Sequence, residues 1–312
     1  MVIYSRVGVL FLIFGLLLGN IAAAAPHASS ALVITDYQSE FELITQNPVE
    51  KISLSFTNRS PKPISSVQLL VPIDRVVIGS VVEDVYGQPQ TLVETNTTLA
   101  VTVDQKKTVT FREYRIDLNR AVEPEGDFKI STIKLYYNSF FEFKPKNIDL
   151  FEDQKVLLTA YKVPASPYRI EKAVSTITYG DVGSQRKEKG EATAVNPLSP
   201  VSVRLHFVLN VPFVQTSITK RYIEVSHWGN AYFKDEYKLH NRGAKFRGAF
   251  STIDFHKSRK DTGKNAFRSE TIKLPVNAFG LFYRDEIGNI STSTVSERVR
   301  FNLPRAMAST SP

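Results

Sequence analysis

Apolar and polar residues alternate with a period of two along much of the chain. The alternation is clear in residues 52–56, 67–71, 99–103 and 201–209. A period of two is typical of β-strands that bury one face. Apolar residues at helical spacing are missing after the N-terminal region, and Thr, Val, Ile, Tyr and Phe are plentiful. The pattern predicts an all-β fold of antiparallel sheets packed as sandwiches.

The N-terminus has the order of features that defines a secretory signal. Arg6 precedes an almost unbroken apolar run over residues 7–18, and small residues follow at 21–25. We expect cleavage near Ala24, because the apolar run is shorter than the roughly 20 residues of a membrane span. The alternative is a signal anchor that stays in the membrane. Either way the signal directs the chain into the endoplasmic reticulum.

The remaining chain is long enough for two domains. Proline and glycine mark the joints between predicted strands, and the polar, charged stretch 183–200 predicts an exposed loop before the strand at 201–209. Pro212 interrupts the chain soon afterwards. We therefore predict a signal peptide over residues 1–24, a first luminal β-domain over 25–213 and a second over 214–312.

The cysteine content and the net charge of the chain exclude some classes of protein function. The chain has no cysteine, which excludes a disulfide-stapled scaffold and any thiol or thiolate chemistry. The net charge is +8, with basic clusters at 186–189 and 257–260. The signal leads away from nucleic acid, so we interpret these clusters as solvated loops, with anionic lipid or an acidic partner as the alternative.

No catalytic, cofactor-binding or metal site is predicted. The five histidines do not form a zinc motif, and His227 and His240 on neighbouring strands are interpreted as structural. The acidic pairs Asp235-Glu236 and Asp285-Glu286 point to opposite strand faces, so neither makes a two-carboxylate site. The histidines are His27, His206, His227, His240 and His256.

Three tripeptides fit the N-glycosylation sequon. They begin at Asn58, Asn96 and Asn289. Pro61 directly follows the first sequon and makes Asn58 the weakest candidate. Asn289 follows Gly288 in a predicted turn and is the strongest.

Residues 219–230 predict a strand that enters a turn at Gly229-Asn230, followed by a second strand over 232–239. Trp228, the only tryptophan, is expected to be buried as an anchor for domain packing. The stretch resembles the ribophorin I family, the non-catalytic subunits of oligosaccharyltransferase. The hallmark residues are Ile223, Glu224, Val225, Ser226, His227, Trp228, Gly229 and Asn230, with a second run at Tyr283, Arg284, Asp285, Glu286, Ile287 and Gly288.

The resemblance implies two β-rich luminal domains similar to the N-terminal β-domain of certain zinc aminopeptidases. It also implies a subunit without its own active site, in a complex that transfers a glycan from dolichyl diphosphate to Asn-x-Ser/Thr of nascent polypeptides. The implied partners are the other subunits, including the catalytic one, and nascent chains. No cofactor is implied.

Family members continue into a membrane-spanning helix, whereas this sequence ends at Pro312. The resemblance therefore implies a truncated second domain, on the luminal side of the endoplasmic reticulum, with membrane association through the complex. The alternative is a free luminal module that binds unfolded or acceptor polypeptides. An enzyme built on the aminopeptidase-like domain is disfavoured because the zinc motif is missing.

Overall fold

A computed structural model gives the fold of the chain. It describes residues 32–103, 107–181, 183–229, 231–249, 251, 253–254, 269–273, 280–281, 284, 294–296 and 300–304. Strands make up nearly all of the regular structure in these ranges, so the predicted all-β fold is confirmed. Within the described part of the chain, no helical segment has the length and hydropathy needed to cross a bilayer.

In the described ranges the strands follow one another along the chain without long helical connections. They are β1 Leu32–Leu43, β2 Val49–Asn58, β3 Ile64–Pro72, β4 Val77–Asp84, β5 Thr91–Val103, β6 Lys107–Val122, β7 Asp127–Tyr137, β8 Glu142–Phe143, β9 Asn147–Ile148, β10 Lys155–Val163, β11 Arg169–Tyr179, β12 Arg186–Val195, β13 Val201–Val208, β14 Val214–Val225, β15 Ala231–Asn241, β16 Lys245–Phe246, β17 Ser269–Lys273, β18 Thr294–Ser296 and β19 Arg300–Pro304.

A six-stranded sheet forms the largest layer. Its strand order is β12-β11-β1-β2-β7-β4. All neighbours pair antiparallel except β1 and β11, which run parallel with Val33 opposite Arg169. The prediction of antiparallel sheets is therefore right for all but one of the pairings in this layer.

Two three-stranded sheets, β3-β6-β5 and β13-β10-β8, supply the other side of the core. Their inward side chains form one cluster with those of β1, β2, β7 and β11. Leu54 and Phe56 of β2 are 2% and 1% exposed, and Val67 of β3 is 1% exposed. The period-two alternation thus marks buried faces as predicted. Burying a side chain of this size contributes about 1.5–3 kcal/mol.

One cation lies inside this core. Arg75 is only 3% exposed, and its guanidinium carbon lies 4.7 Å from the ring centre of Phe41 and 5.1 Å from that of Phe140. Its Nη2 donates a hydrogen bond to the Thr159 carbonyl at 3.1 Å. A buried charge without partners is costly, and here the aromatic faces and the carbonyl offset part of that cost, since Nε has no hydrogen-bond partner among the described residues. Arg75 thereby ties the β3–β4 connection to β10.

The prediction of an exposed loop over 183–200 is wrong in its central part. Residues Arg186–Val195 form β12, which pairs antiparallel with β11 at the edge of the six-stranded sheet. Most of its residues are exposed and half of them are charged, so it shows no apolar alternation. Charged residues on an edge strand also disfavour pairing with another chain.

The remaining described strands form small sheets. Strands β14 and β15 form a two-stranded hairpin, β16 pairs in parallel with β9, and β17, β19 and β18 form a three-stranded sheet. Phe213, directly before β14, is 1% exposed and packs edge-on against Phe143. The predicted domain boundary near residue 213 stays a prediction.

Candidate functional site

The hairpin of β14 and β15, residues 214–241, carries the first hallmark run. Its register places Ile223 opposite Phe233 and Val225 opposite Ala231. Residues paired across an antiparallel ladder project to the same face. Ile223, Val225 and Phe233 are 57%, 74% and 48% exposed, so this face presents apolar side chains to the surroundings.

Three residues close the hairpin at its tip. The backbone N–H of Gly229 donates to the Ser226 carbonyl at 3.1 Å, and that of Trp228 donates to the Ser226 hydroxyl at 3.2 Å. Gly229 has a φ of 82°, a conformation that side chains other than glycine rarely adopt. The turn leaves Trp228 92% exposed. The expectation that Trp228 is a buried anchor is therefore wrong.

Ion pairs order the hairpin behind its tip. Arg221 donates two hydrogen bonds to Asp235, at 2.7 and 2.9 Å, and the Tyr237 hydroxyl donates to the same carboxylate at 2.8 Å. The hydrogen bonds from Arg221 hold the pKa of Asp235 below its usual value. Both partners stay charged at neutral pH, and their bidentate geometry fixes the orientation of the strand pair.

The opposite face carries a second charged pair. Lys234 Nζ lies 2.8 Å from Glu236 and 5.4 Å from the ring centre of Tyr222. The hydrogen bond from Lys234 lowers the pKa of Glu236. Asp235 and Glu236 thus project to opposite faces, as predicted from their adjacency, and each pairs with a different basic side chain. The face with Ile223 and Val225 is therefore apolar near the tip and carries the Arg221–Asp235 pair behind it. The other face carries the Lys234–Glu236 pair and tyrosines.

The base of the hairpin is fixed to the segments that precede it. The backbone N–H of Val214 donates to the side-chain oxygen of Gln46 at 2.7 Å, and that of Arg242 donates to the Phe213 carbonyl at 2.8 Å. After the hairpin, β16 adds to β9, with Lys245 opposite Asn147. Both ends of the hairpin are therefore anchored while its tip projects.

Gln154 also anchors the base of the hairpin. No pattern in the sequence identifies it as a functional or structural residue. It is 0% exposed, and its side-chain nitrogen donates to the carbonyls of Leu209 and Val211 at 3.0 and 3.1 Å. Its side-chain oxygen accepts from the Ala244 N–H at 2.9 Å. One side chain thus holds the segment before the hairpin and the segment after it.

The ribophorin I family profile matches residues 32–305 of this chain, which includes the hairpin and all of the described residues. The chain belongs to the ribophorin I family. The family that the hallmark residues indicated is therefore confirmed.

Curated relatives carry the name dolichyl-diphosphooligosaccharide–protein glycosyltransferase subunit 1. The Caenorhabditis elegans protein is 33% identical over 59% of this chain and 34% of its own length. Subunit 1B of Oryza sativa subsp. japonica is 29% identical over 58% of this chain and 41% of its own length. Subunit 1A of Arabidopsis thaliana is 28% identical over 89% of this chain and 48% of its own length. The chain spans about half the length of these relatives or less.

Among solved structures, a mutant M1 zinc metallopeptidase from Deinococcus radiodurans is similar at 12% identity. The match covers 71% of this chain and 50% of that chain, with a TM-score of 0.32.

The ribophorin I hallmarks lie in different parts of the chain. Ile223 to Gly229 occupy the hairpin, whereas Asn230 lies outside the described residues. Of the second run, Arg284 is exposed, and Tyr283, Asp285, Glu286, Ile287 and Gly288 lie outside the described residues.

The histidines do not come together in the described part of the chain. His227 lies at the hairpin tip and His240 at its base, opposite Gln215. His206 Nε2 lies 3.2 Å from the Lys144 carbonyl. His27 and His256 lie outside the described residues. In the ranges that the structure describes, no group of histidine and acidic side chains is placed to hold a metal ion.

The asparagines of the sequons differ in their exposure to solvent. Asn58 is 0% exposed at the end of β2, and Asn96 is exposed on β5. Asn289 lies outside the described residues, as do Asp285 and Glu286.

Proposed function

We propose that this chain is an accessory subunit of oligosaccharyltransferase. In this role it supports the transfer of a preassembled glycan from dolichyl diphosphate to Asn-x-Ser/Thr of nascent proteins, on the luminal side of the endoplasmic reticulum. The observation that carries the proposal is membership of the ribophorin I family over residues 32–305. The curated relatives are named as subunit 1 of this glycosyltransferase, which supports a place in the same complex.

The hairpin is the element that we propose contacts another subunit. Ile223, Val225, Phe233 and Trp228 expose apolar surface on a projecting element whose base is anchored. Exposed aromatic and apolar side chains on a preorganised element are typical of interface hot spots. The ion pairs of the hairpin keep it ordered before binding, so little conformational entropy is lost on docking.

The experiment is affinity isolation of the tagged chain from microsomes in mild detergent. The hairpin variant carries V225S, W228A and F233S. A matched control carries I78S and Y86A, because Ile78 and Tyr86 are 56% and 85% exposed on another part of the surface. The wild-type chain and the control should recover the catalytic subunit, and the hairpin variant should recover about tenfold less or lower still.

Two outcomes contradict the proposal at different levels. If the wild-type chain recovers no other subunit, membership of the complex is contradicted and the free luminal module is favoured. If the wild-type chain and the hairpin variant recover equal amounts of the catalytic subunit, membership of the complex stands. The proposal that the hairpin is the docking element is then contradicted. Circular dichroism of each variant verifies that the fold is retained.

A further inference from the structure

Asn58 stands at the end of β2 with every hydrogen-bonding group of its side chain occupied. Its Nδ2 donates to the Lys62 carbonyl at 2.9 Å and to the Val122 carbonyl at 2.8 Å. Its Oδ1 accepts from the backbone N–H of Ser60 at 2.8 Å. A side-chain amide has two N–H donors, so both are in use.

The backbone of Asn58 is engaged as well. Its N–H donates to the Gly126 carbonyl at 3.0 Å, and its carbonyl accepts from the N–H of Glu125 at 2.7 Å. Together with the bond to Val122, these contacts join the β2–β3 turn to the β6–β7 turn. Asn58 therefore closes two turns that are distant in sequence, at a position that is 0% exposed.

N-glycosylation acts on the same Nδ2 atom. Transfer forms a bond from Nδ2 to the anomeric carbon of the glycan, releases the lipid diphosphate as the leaving group and removes one Nδ2 hydrogen as a proton. A glycosylated Asn58 would leave either the Lys62 or the Val122 carbonyl without its donor. The sugar would also need space where the fold has none.

The sequon at Asn96 has the opposite surroundings. The ladder between β5 and β6 skips from Glu94 opposite Tyr114 to Thr98 opposite Arg112, so the residues between form a bulge on an edge strand. Asn96 itself is exposed. Bulges and bulky polar groups on an edge strand both oppose pairing with another chain.

We propose that folding and glycosylation are mutually exclusive at Asn58, and that Asn96 is an N-glycan acceptor in the native protein. Glycan transfer acts on the unfolded chain, so a chain modified at Asn58 cannot close its two turns. Pro61, next to the sequon, favours the productive outcome by lowering acceptance of Asn58. The proposal requires that the chain enters the endoplasmic reticulum and is independent of whether it joins the complex.

The occupancy test uses the full chain, expressed behind an efficient signal peptide in glycosylating cells. The S60T/P61A variant strengthens the first sequon. Native and aggregated fractions are separated by protease resistance, and glycosidase treatment in heavy-oxygen water marks each formerly glycosylated asparagine for mass spectrometry. We expect the mark at Asn96 in the native fraction, and at Asn58 only in the aggregate. A native fraction marked at Asn58, or unmarked at Asn96, overturns the proposal.

The stability test isolates the Asn58 amide from the sequon. N58D is isosteric but places an oxygen against the Lys62 and Val122 carbonyls, whereas S60A abolishes the sequon and keeps the amide. We expect N58D to lower the thermal midpoint by about 6 °C or more, with S60A and N96D within about 2 °C of wild type. An N58D midpoint equal to that of wild type overturns the structural role of the amide.

Discussion

The side-chain oxygen of Gln154 accepts a hydrogen bond from the backbone N–H of Ala244 at 2.9 Å, across 90 residues of sequence. Between these residues lie β10 to β13 and the whole hairpin. The same side chain donates to Leu209 and Val211, just before the hairpin begins. A single buried amide therefore joins the segment where the hairpin begins to the segment where it ends.

Replacing Gln154 should destabilise the protein and loosen the hairpin. Q154A removes the acceptor of the Ala244 N–H and the donor to the carbonyls of Leu209 and Val211, at a side chain that is 0% exposed. We expect a loss of about 2–4 kcal/mol in the free energy of unfolding, measured by urea denaturation. Q46A removes the acceptor of the Val214 N–H at a partly exposed site, so its effect should stay near 1 kcal/mol. Equal losses in the two variants would contradict the special role of Gln154.

A substitution at Gly243 tests how closely the chain after the hairpin packs against Gln154. A Cβ on Gly243 would lie 2.6 Å from Oε1 of Gln154, whereas a Cβ on Gly248 meets nothing within 4 Å. Gln154 cannot retreat, because its amide is held by three hydrogen bonds. G243A should therefore cost about 1–3 kcal/mol, and G248A should remain within about 0.5 kcal/mol of wild type. Urea unfolding of the matched pair measures the difference, and a G243A variant as stable as G248A would show that the joint is loose.

The sequence predicts the strands well where one of their faces is buried. Ile52 and Leu54 of β2 alternate with polar residues because alternate side chains enter the core. The edge strand β12 lacks this signal. Its backbone pairing with β11 holds it in place, while most of its side chains face solvent. Pairing of this kind depends on the neighbouring strand and leaves little trace in local composition.

The strand–turn–strand geometry of the hairpin was also predictable, but its exposure was not. Apolar residues such as Ile223 and Val225 alternate as they would in a buried strand. Alternation shows that a face favours an apolar neighbour, and it does not show whether the same chain supplies that neighbour. Gln154 gave no signal, because an isolated polar residue between strands resembles any loop residue until its partners are known.

The only tryptophan reports directly on the hairpin tip. Trp228 is 92% exposed, so its fluorescence in the folded protein should already have the red-shifted maximum of indole in water. Denaturation in urea should change that maximum little, although circular dichroism records full loss of the strands. Acrylamide should quench the folded and unfolded states to a similar extent. A blue-shifted folded spectrum that moves to the red on unfolding would place Trp228 in a buried site.

Substitution of Trp228 distinguishes a role in docking from a role in folding. W228A should leave the free energy of unfolding within about 0.5 kcal/mol of wild type, because little apolar area is lost from the core. F213A removes a ring that is 1% exposed and should cost about 3–5 kcal/mol. Thermal and urea unfolding of the two variants measure the contrast. A large loss of stability in W228A would indicate that the hairpin tip packs against the protein.

Tyr137 gives the core a defined response to alkaline pH. Its ring is 0% exposed and its hydroxyl donates to Glu50 at 2.6 Å. Burial, followed by the negative charge of Glu50, raises the pKa of Tyr137 well above its usual value. The folded state therefore resists ionisation that the unfolded chain permits near pH 10. The stability conferred by this tyrosine should be constant below pH 10 and should decline as the pH rises above it.

The Y137F variant isolates that contribution. At neutral pH it should be less stable by about 1–2 kcal/mol, because the hydrogen bond to Glu50 is lost. Phenylalanine does not titrate, so the deficit should shrink by about 1.4 kcal/mol between pH 8 and pH 11. Urea unfolding at several pH values measures the deficit, and Y86F, at a side chain that is 85% exposed, should follow wild type throughout. A Y137F deficit that stays constant to pH 11 would mean that the folded protein ionises Tyr137 as readily as the unfolded chain does.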